Sequence, residues 1–129
     1  MILTTALIFI GALCNSVMDK ISFHHSKSVF KNMSDWWNPQ ESWKFKWKNG
    51  NKEEGERFWQ SSRLLVGFTD AWHAMKFGMR WSYLIAIPLY TMSNPLINIW
   101  VDFAILGVIQ LITFHMFFTY FLSKKEQDA

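Results

Sequence analysis

Apolar residues cluster in three long runs, which are separated by one polar stretch and one tight turn. The runs cover residues 1–18, 64–92 and 95–122. Each is long enough to cross a bilayer as a helix, for which about 17 to 25 residues suffice. Residues 19–63 form a polar and basic loop between the first two runs. This pattern predicts an all-α integral membrane protein, a single domain with three transmembrane helices and a cytoplasmic amphipathic, Trp-rich loop.

Local signals place the predicted helix ends. "SSR" at 61–63 offers an N-cap for the second helix, and no breaker follows until "SNP" at 93–95. That tripeptide predicts a tight turn with Pro95 in the first turn of the third helix. Pro88 predicts a kink, which membrane helices tolerate. The first run lacks a basic start and a small-residue cleavage pattern, so it is interpreted as a retained anchor.

Basic residues predict the orientation in the membrane. Residues 19–63 hold nine Lys and Arg, the tail adds Lys124 and Lys125, and the 93–95 turn has none. By the positive-inside rule, the loop and the C-terminus are cytoplasmic and the N-terminus lies outside. An odd number of spans is required for this arrangement. The three runs therefore agree with this topology, and the predicted location is the inner (cytoplasmic) membrane.

The composition supports a membrane location and excludes a disulfide framework. Aromatic residues make up 18% of the chain, with eight Trp and twelve Phe, more rings than a small soluble domain buries easily. Trp and Tyr favour the headgroup level of a bilayer. Cys14 is the only cysteine, so no intrachain disulfide can form.

The loop contains a short alternation of rings and lysines, "WKFKWK", followed by the turn signal "NG" at 49–50. Its members are Trp43, Lys44, Phe45, Lys46, Trp47 and Lys48. Such a stretch is suited to anionic headgroups, with rings in the interface and lysines at the phosphates. Single-stranded nucleic acid is a less favoured partner for the same pattern. The third interpretation is a strand or loop that packs on the protein's own helices.

The stretch "FTDAWHAMKFGMR", residues 68–80, brings costly polar groups into an apolar run. His73 and His115 each lie 21 positions from Asn94, in the predicted turn, so regular antiparallel helices would place them at one depth. Asp70 shares a helix face with His73, because positions i and i+3 are neighbours. The first helix delivers Asp19 and then His24 or His25 to the same end of the bundle.

These carboxylates and imidazoles predict a metal site near the cytoplasmic face. The expected ligands are Asp70, His73, His115 and His24, with Asp19 as a further ligand or as a catalytic general base. Imidazole and carboxylate suit Zn²⁺ or Fe²⁺, and an open position would let the metal acidify water. A structural polar cluster and a proton relay remain alternatives for the same residues.

Arg80 lies deeper in the second run and needs a partner of its own. Asp102 is one candidate, although it is imperfectly level with Arg80. A lipid phosphate or a pyrophosphate substrate is the other, because the guanidinium fork matches such groups.

Part of the chain resembles a family of small membrane proteins. "NPQESWKFKWKNG" and "FTDAWHAMKF" resemble segments of uncharacterised small membrane proteins of Bacteroidetes and their phages. The resemblance covers roughly residues 15–80. Matching positions are Trp37, Asn38, Pro39, Ser42, Trp43, Lys44 and Thr69 to His73, whereas Phe45 departs from an expected Asn. The resemblance implies a bacterial or phage origin and carries no activity.

Two classes of function follow from the sequence. The first is a metal-dependent hydrolase that acts on a lipid or lipid-linked substrate. The second is a non-enzymatic oligomeric membrane protein, such as a phage holin, or an accessory subunit of a larger membrane complex. The predicted partners are membrane lipids with anionic headgroups.

Overall fold

The computed structural model describes residues 1–124 and consists of three long helices. Helix α1 spans Ile2–His24, α2 spans Ala71–Thr91 and α3 spans Ile99–Met116, after which a π-helical turn covers Phe117–Phe121. Short 3₁₀ helices of three to five residues occupy much of the segment between α1 and α2. Within the described residues every regular element is helical, and β-structure is limited to two isolated bridges. The all-α prediction is confirmed.

Two of the helices are long and apolar enough to cross a membrane. They are α1 with its continuation, Ile2–Lys27, and α3 with its π-helical turn, Ile99–Phe121, with mean hydropathies of 1.7 and 1.8. Helix α2 is as long as a span, with 21 residues, but is not among them. It contains His73, Lys76 and Arg80, and these residues lower its hydropathy. The structure therefore supports two of the three predicted spans.

The helix ends differ from those predicted because side-chain caps set them. The predicted start of α2 at residue 64 was wrong by seven residues, since residues 64–70 form turns and a short 3₁₀ helix. Asp70 is the N-cap, and its carboxylate accepts a hydrogen bond from the backbone N–H of His73 at 2.9 Å. Helix α3 begins after Asn98, whose side chain accepts from two backbone N–H groups.

Helix α1 lies between the other two helices. It packs on both α2 and α3, whereas α2 and α3 make few direct contacts. Small residues allow α1 and α2 to approach closely: the ring of Tyr83 covers Gly11, and Gly78 faces the sulfur of Cys14. Helices α2 and α3 meet near the turn that joins them, where the Tyr90 hydroxyl donates to Asp102 at 3.2 Å.

The loop folds against the ends of α1 and α3. Val17 and Ile21 of α1, Phe30 of the loop, Ala71 of α2 and Leu122 beyond α3 form one buried cluster. The backbone N–H of Val29 donates to the Leu122 carbonyl at 3.1 Å, which ties the loop to the last turn of the chain's third helix. The start of the loop is therefore a packed part of the fold.

The stretch "WKFKWK" does not form a strand. Residues Ser42–Lys46 form a 3₁₀ helix, so the rings and the lysines do not lie on two opposite faces. The predicted turn at 49–50 is present, with left-handed φ values of 50° at Asn49 and 74° at Gly50. The turn lies in a segment that an isolated β-bridge between Trp47 and Glu56 closes.

Candidate functional site

The candidate site is built around a hydrogen-bonded pair, Asp70 and His73. Nδ1 of His73 lies 2.8 Å from both carboxylate oxygens of Asp70. An ionised carboxylate can only accept hydrogen bonds, so Nδ1 carries the proton and donates it. Nε2 of His73 is then the unprotonated nitrogen, in the tautomer that a general base requires.

The local sequence explains why this pair forms. Asp70 stands at the N-cap, where an extended backbone lets its side chain fold back over the first turn. His73 is the third residue of α2, so its backbone N–H and its ring both reach the carboxylate. The hydroxyl of Thr69 lies 3.2 Å from the other oxygen, but it donates to the nearer Val66 carbonyl, at 2.8 Å. Asp70 is thus fixed by two donors of His73, its backbone N–H and its ring.

The loop adds a positive charge to this pair. Nζ of Lys46 lies 4.0 Å from Oδ2 of Asp70, and the lysine side chain is only 21% exposed. Asp70 itself is buried, which alone would raise its pKa. The hydrogen bonds from His73 and the nearby charge of Lys46 outweigh that effect, and they hold the pKa of Asp70 below its ordinary value. The carboxylate is therefore ionised at neutral pH.

A pocket of about 240 Å³ opens beside the pair. It has apolar indole walls and polar groups from α1, the loop and α2. Its lining residues are Ser22, Pro39, Ser42, Trp43, Lys46, Asp70, Trp72 and His73. The indole ring of Trp72 meets the imidazole of His73 edge-on, with ring centroids 4.9 Å apart. Rings with a few convergent polar groups are typical of a small-molecule site.

The other predicted metal ligands lie elsewhere in the structure. His115 is exposed on α3, on the far side of α1, and its nearest ring neighbour is Tyr120 at 6.3 Å. His24 packs edge-on against Phe118 at 5.4 Å, and Asp19 is half-buried on α1. Residues 1–124 contain no group of three or more His, Cys, Asp or Glu side chains arranged to hold a metal ion. Of the predicted ligands, the structure joins Asp70 and His73.

Asp102 has a structural role at the opposite end of the bundle. It is fully buried and accepts hydrogen bonds from the Tyr90 hydroxyl and from the backbone N–H groups of Leu96 and Ile97. Its oxygens thereby hold the turn between α2 and α3. Arg80 is exposed on α2 and is not among the residues that bond to Asp102. Asp102 is therefore a turn residue in this structure, whereas Arg80 faces outward.

The sequence assigned some residues of the pocket another role, and others no role. Lys46 was assigned to a lipid-facing row, yet it turns toward Asp70, and Trp43 of the same row lines the pocket. Trp72, Ser22 and Ser42 received no functional role. The adjacency of Trp72 to His73 was a usable signal, because a ring beside a candidate base can wall a site. The sequence around Ser22 and around Ser42 contains no signal that the folded loop brings these two residues together.

The comparisons with known proteins identify no relative. No protein-family model, no curated protein and no solved structure matches this chain. The functional argument therefore depends on the geometry of the pocket.

Proposed function

We propose that the chain is a three-span protein of the cytoplasmic membrane that hydrolyses an ester in the headgroup of a lipid or lipid-linked substrate. The observation that supports this proposal is the Asp70–His73 pair beside the 240 Å³ pocket, with Lys46 within 4.0 Å of the carboxylate. In this proposal α2 is the third span. The loop and the pocket then lie at the cytoplasmic face, where the basic residues of segment 19–63 favour them.

The polar residues of the pocket suit the level of lipid headgroups. Trp43 and Trp72 provide indole rings, which favour the membrane interface, and Lys46 provides a cation for a phosphate or a carbonyl oxygen. Asp70 precedes α2, so the pocket lies where that helix would leave the hydrocarbon. A substrate can then keep its acyl chains in the membrane while its headgroup enters the pocket.

His73 acts as the general base in the proposed reaction. Its Nε2 takes a proton from a water molecule, whose oxygen forms a bond to the carbon or phosphorus of the ester. The bond to the leaving alcohol then breaks, and the proton on Nε2 passes to that alcohol. Asp70 keeps the ring oriented and stabilises the imidazolium that forms between these two steps. Lys46 stabilises the negative charge that develops on the ester oxygen.

The test is hydrolysis of lipids by purified protein in vesicles. Full-length protein is incubated with vesicles of mixed anionic and neutral glycerolipids, and released headgroups and lysolipids are quantified by mass spectrometry. General-base catalysis contributes about 10²- to 10⁴-fold, so His73→Gln should lose turnover on that scale. Asp70→Asn should also lose most turnover while it keeps a capping side chain.

Two controls separate catalysis from folding and from metal chemistry. His115→Gln changes an exposed histidine on α3, so turnover should stay at the wild-type level. Metal content is measured on the same preparations. If the wild-type protein carries about one equivalent of zinc or iron and His115→Gln loses it, the metal site predicted from the sequence is correct. That result would refute hydrolysis without a metal. Absence of turnover by the wild-type protein on every lipid tested would refute the hydrolase.

A second candidate function is a subunit of an oligomer or of a larger membrane complex. The observation that favours it is the exposure of Arg80 on α2 and of His115 on α3, since polar side chains within membrane spans usually face protein or water. Native mass spectrometry of the detergent-solubilised protein distinguishes a monomer from an oligomer. A monomer that hydrolyses lipid would leave no support for this candidate.

A further inference from the structure

Two cations of α2, Lys76 and Arg80, have no role in the proposed reaction. They are neighbours on one face of the helix, because positions i and i+4 lie one turn apart, and like charges at this spacing repel each other. Within residues 1–124 every ion pair involves other residues, so neither cation has a carboxylate oxygen within 4.0 Å. Asp102, the acidic partner considered for Arg80, is bonded instead to the turn after α2. This face of α2 therefore needs an anion from outside the chain.

The two side chains offer complementary donors to such an anion. Nζ of Lys76 lies 4.3 Å from the centroid of the Trp72 ring, a cation–π contact that holds the ammonium in place. The ammonium has three N–H groups, so the contact with the ring leaves donors for an anion. Arg80 is exposed and presents a planar fork that matches two oxygens of a phosphate.

The segment before α2 indicates where this face lies relative to a membrane surface. The segment folds back along the helix, since a Cβ added at Gly67 would lie 3.8 Å from the Cβ of Phe77. Leu64 and Phe68 flank Gly67 and are exposed. Such side chains suit the boundary between headgroups and acyl chains, so that boundary lies beside the first two turns of α2. Lys76 is at this level.

Arg80 is one turn deeper than Lys76 but can reach the same level. Side chains of a helix lean toward its N-terminus, which for α2 is the cytoplasmic end in the proposed topology. The arginine stem can therefore lie along apolar surface while the guanidinium reaches the headgroups. Trp81 is the next residue and is also exposed, and indole rings favour the headgroup level.

We propose that Lys76 and Arg80 bind the phosphate of a membrane phospholipid and hold its headgroup at the pocket of His73. Trp72, on which Lys76 lies, also lines that pocket, so a phosphate bound by Lys76 is beside it. The acyl chains extend along the exposed apolar surface of α2, which continues one turn further at Leu84. The inference rests on the proposed function, and it narrows the substrate class to lipids that carry a phosphate.

The test is lipid binding by the purified full-length protein in detergent. Native mass spectrometry counts the molecules of dioctanoyl phosphatidylglycerol bound as the lipid is titrated. The wild type should bind one molecule in preference to others. Hydrogen bonds to charged groups are stronger than those between neutral groups, so Lys76→Gln and Arg80→Gln should each weaken its binding by roughly tenfold. Arg80→Lys keeps the charge but not the fork, so it should lose less affinity than Arg80→Gln.

Lys52→Gln is the matched control. Lys52 also lies over an indole, that of Trp47 at 5.9 Å, but it belongs to a polar turn of the loop. Its substitution removes the same charge and should leave the lipid affinity at the wild-type value. Circular dichroism checks that each variant keeps its helices, and Arg80→Lys decides the matter if Arg80→Gln does not fold.

Two competitors identify the part of the lipid that is recognised. Dioctanoylglycerol has the same chains without a phosphate, and inorganic phosphate has no chains, so each should compete poorly at equal concentration. Equal competition by dioctanoylglycerol would show that the chains alone bind, and equal competition by inorganic phosphate would show a site that is not for lipid. Either result would overturn the proposal.

Two further results would also overturn it. The first is equal lipid affinity in the wild type, Lys76→Gln and Arg80→Gln. The second is a wild-type dimer that Arg80→Gln dissociates without a change in lipid binding, since a second copy would then cover Arg80.

Hydrolysis of the same lipid is measured on the same preparations, so that the two proposals fail separately. Binding through Lys76 and Arg80 without turnover would support this site and refute the hydrolase alone. Turnover with unchanged lipid affinity in both glutamine variants would refute this site alone.

Discussion

Asp70 combines a structural role and a chemical role in one carboxylate. It caps α2 and orients His73, and the two roles respond differently to substitution. Asp70→Ala removes the cap and should lower the free energy of unfolding by about 1–2 kcal/mol. Asp70→Ser keeps a capping oxygen but loses the charge, so it should retain most of that stability without lipid turnover. Thermal unfolding in detergent measures the first effect, and the lipid assay measures the second. Equal stability of the alanine variant and the wild type would contradict the capping role.

The lowered pKa of Asp70 also predicts a dependence of stability on pH. Because the folded protein favours the ionised carboxylate, the unfolded state binds the proton more readily. The contribution of Asp70 to stability is complete above the unfolded pKa of about 3.9 and is lost as the pH falls through the lower pKa of the folded state. Thermal unfolding between pH 6 and pH 3, compared with Asp70→Ser, isolates this contribution. The difference between the two proteins should shrink toward the acid end of the range, and a constant difference would contradict the assignment.

At the scale of single residues, the sequence predicts contacts within one helical turn. The spacing of Asp70 and His73 places both on one face, and the structure joins them at 2.8 Å. Lys46 reaches the same carboxylate from a position 24 residues earlier in the chain. The sequence contains no periodic pattern that predicts such a contact, since the contact depends on how the whole loop folds. His73 and His115 were predicted to lie at one depth and close together, but they are far apart for a related reason. Their positions along α2 and α3 do not reveal that α1 lies between those two helices.

Among the elements, the segment 57–68, which leads from the loop to α2, is the best candidate for contact with lipid. Trp59, Leu64 and Phe68 are 74%, 73% and 76% exposed, and Arg57 and Arg63 are exposed within the same segment. Apolar side chains flanked by arginines suit an anionic membrane surface. The sequence predicted contact with lipid for the alternating stretch "WKFKWK", but the 3₁₀ conformation of this stretch turns part of it toward α2. Alternation alone does not show which side chains a folded loop leaves exposed.

Lipid contact by this segment can be measured with an environment-sensitive dye. In a Cys14→Ser background, Leu64→Cys and Glu53→Cys are labelled and reconstituted in anionic vesicles. The dye at position 64 should be quenched by lipids with brominated acyl chains. The dye at position 53 should not be, because Glu53 is exposed on a polar turn. Equal and weak quenching at both positions would show that the segment does not enter the membrane.

At the scale of the whole molecule, the positions of the lysines and arginines predict the orientation in the membrane. The same Glu53→Cys protein should be inaccessible to a membrane-impermeant thiol reagent in intact cells, and it should react after the cells are opened. A cysteine in place of the exposed Asn94, in the turn between α2 and α3, should react without opening the cells. Reversal of the two results would place the loop outside the cell, where the pocket of His73 would face a different set of headgroups.

The number of long helices and their chain order were predictable, whereas their arrangement around one another was not. Runs of apolar residues identify the helices because a backbone in apolar surroundings satisfies its own hydrogen bonds within a helix. The central position of α1 depends on small residues such as Gly11 and Gly78, which allow α1 and α2 to pack closely. The pocket beside His73 depends on how the loop folds onto α1 and α2, so it could not be located before the packing was known.

The central position of α1 has a consequence for biosynthesis. Helices α2 and α3 both pack on α1, and α1 is also the first of the three helices to leave the ribosome. In the proposed three-span topology, α2 therefore enters the bilayer with its partner already present, and α3 can dock on the remaining face without disturbing that pair. A gene split after the loop would separate the central helix from both of its neighbours. The two fragments should consequently reassemble only when the N-terminal one is inserted first.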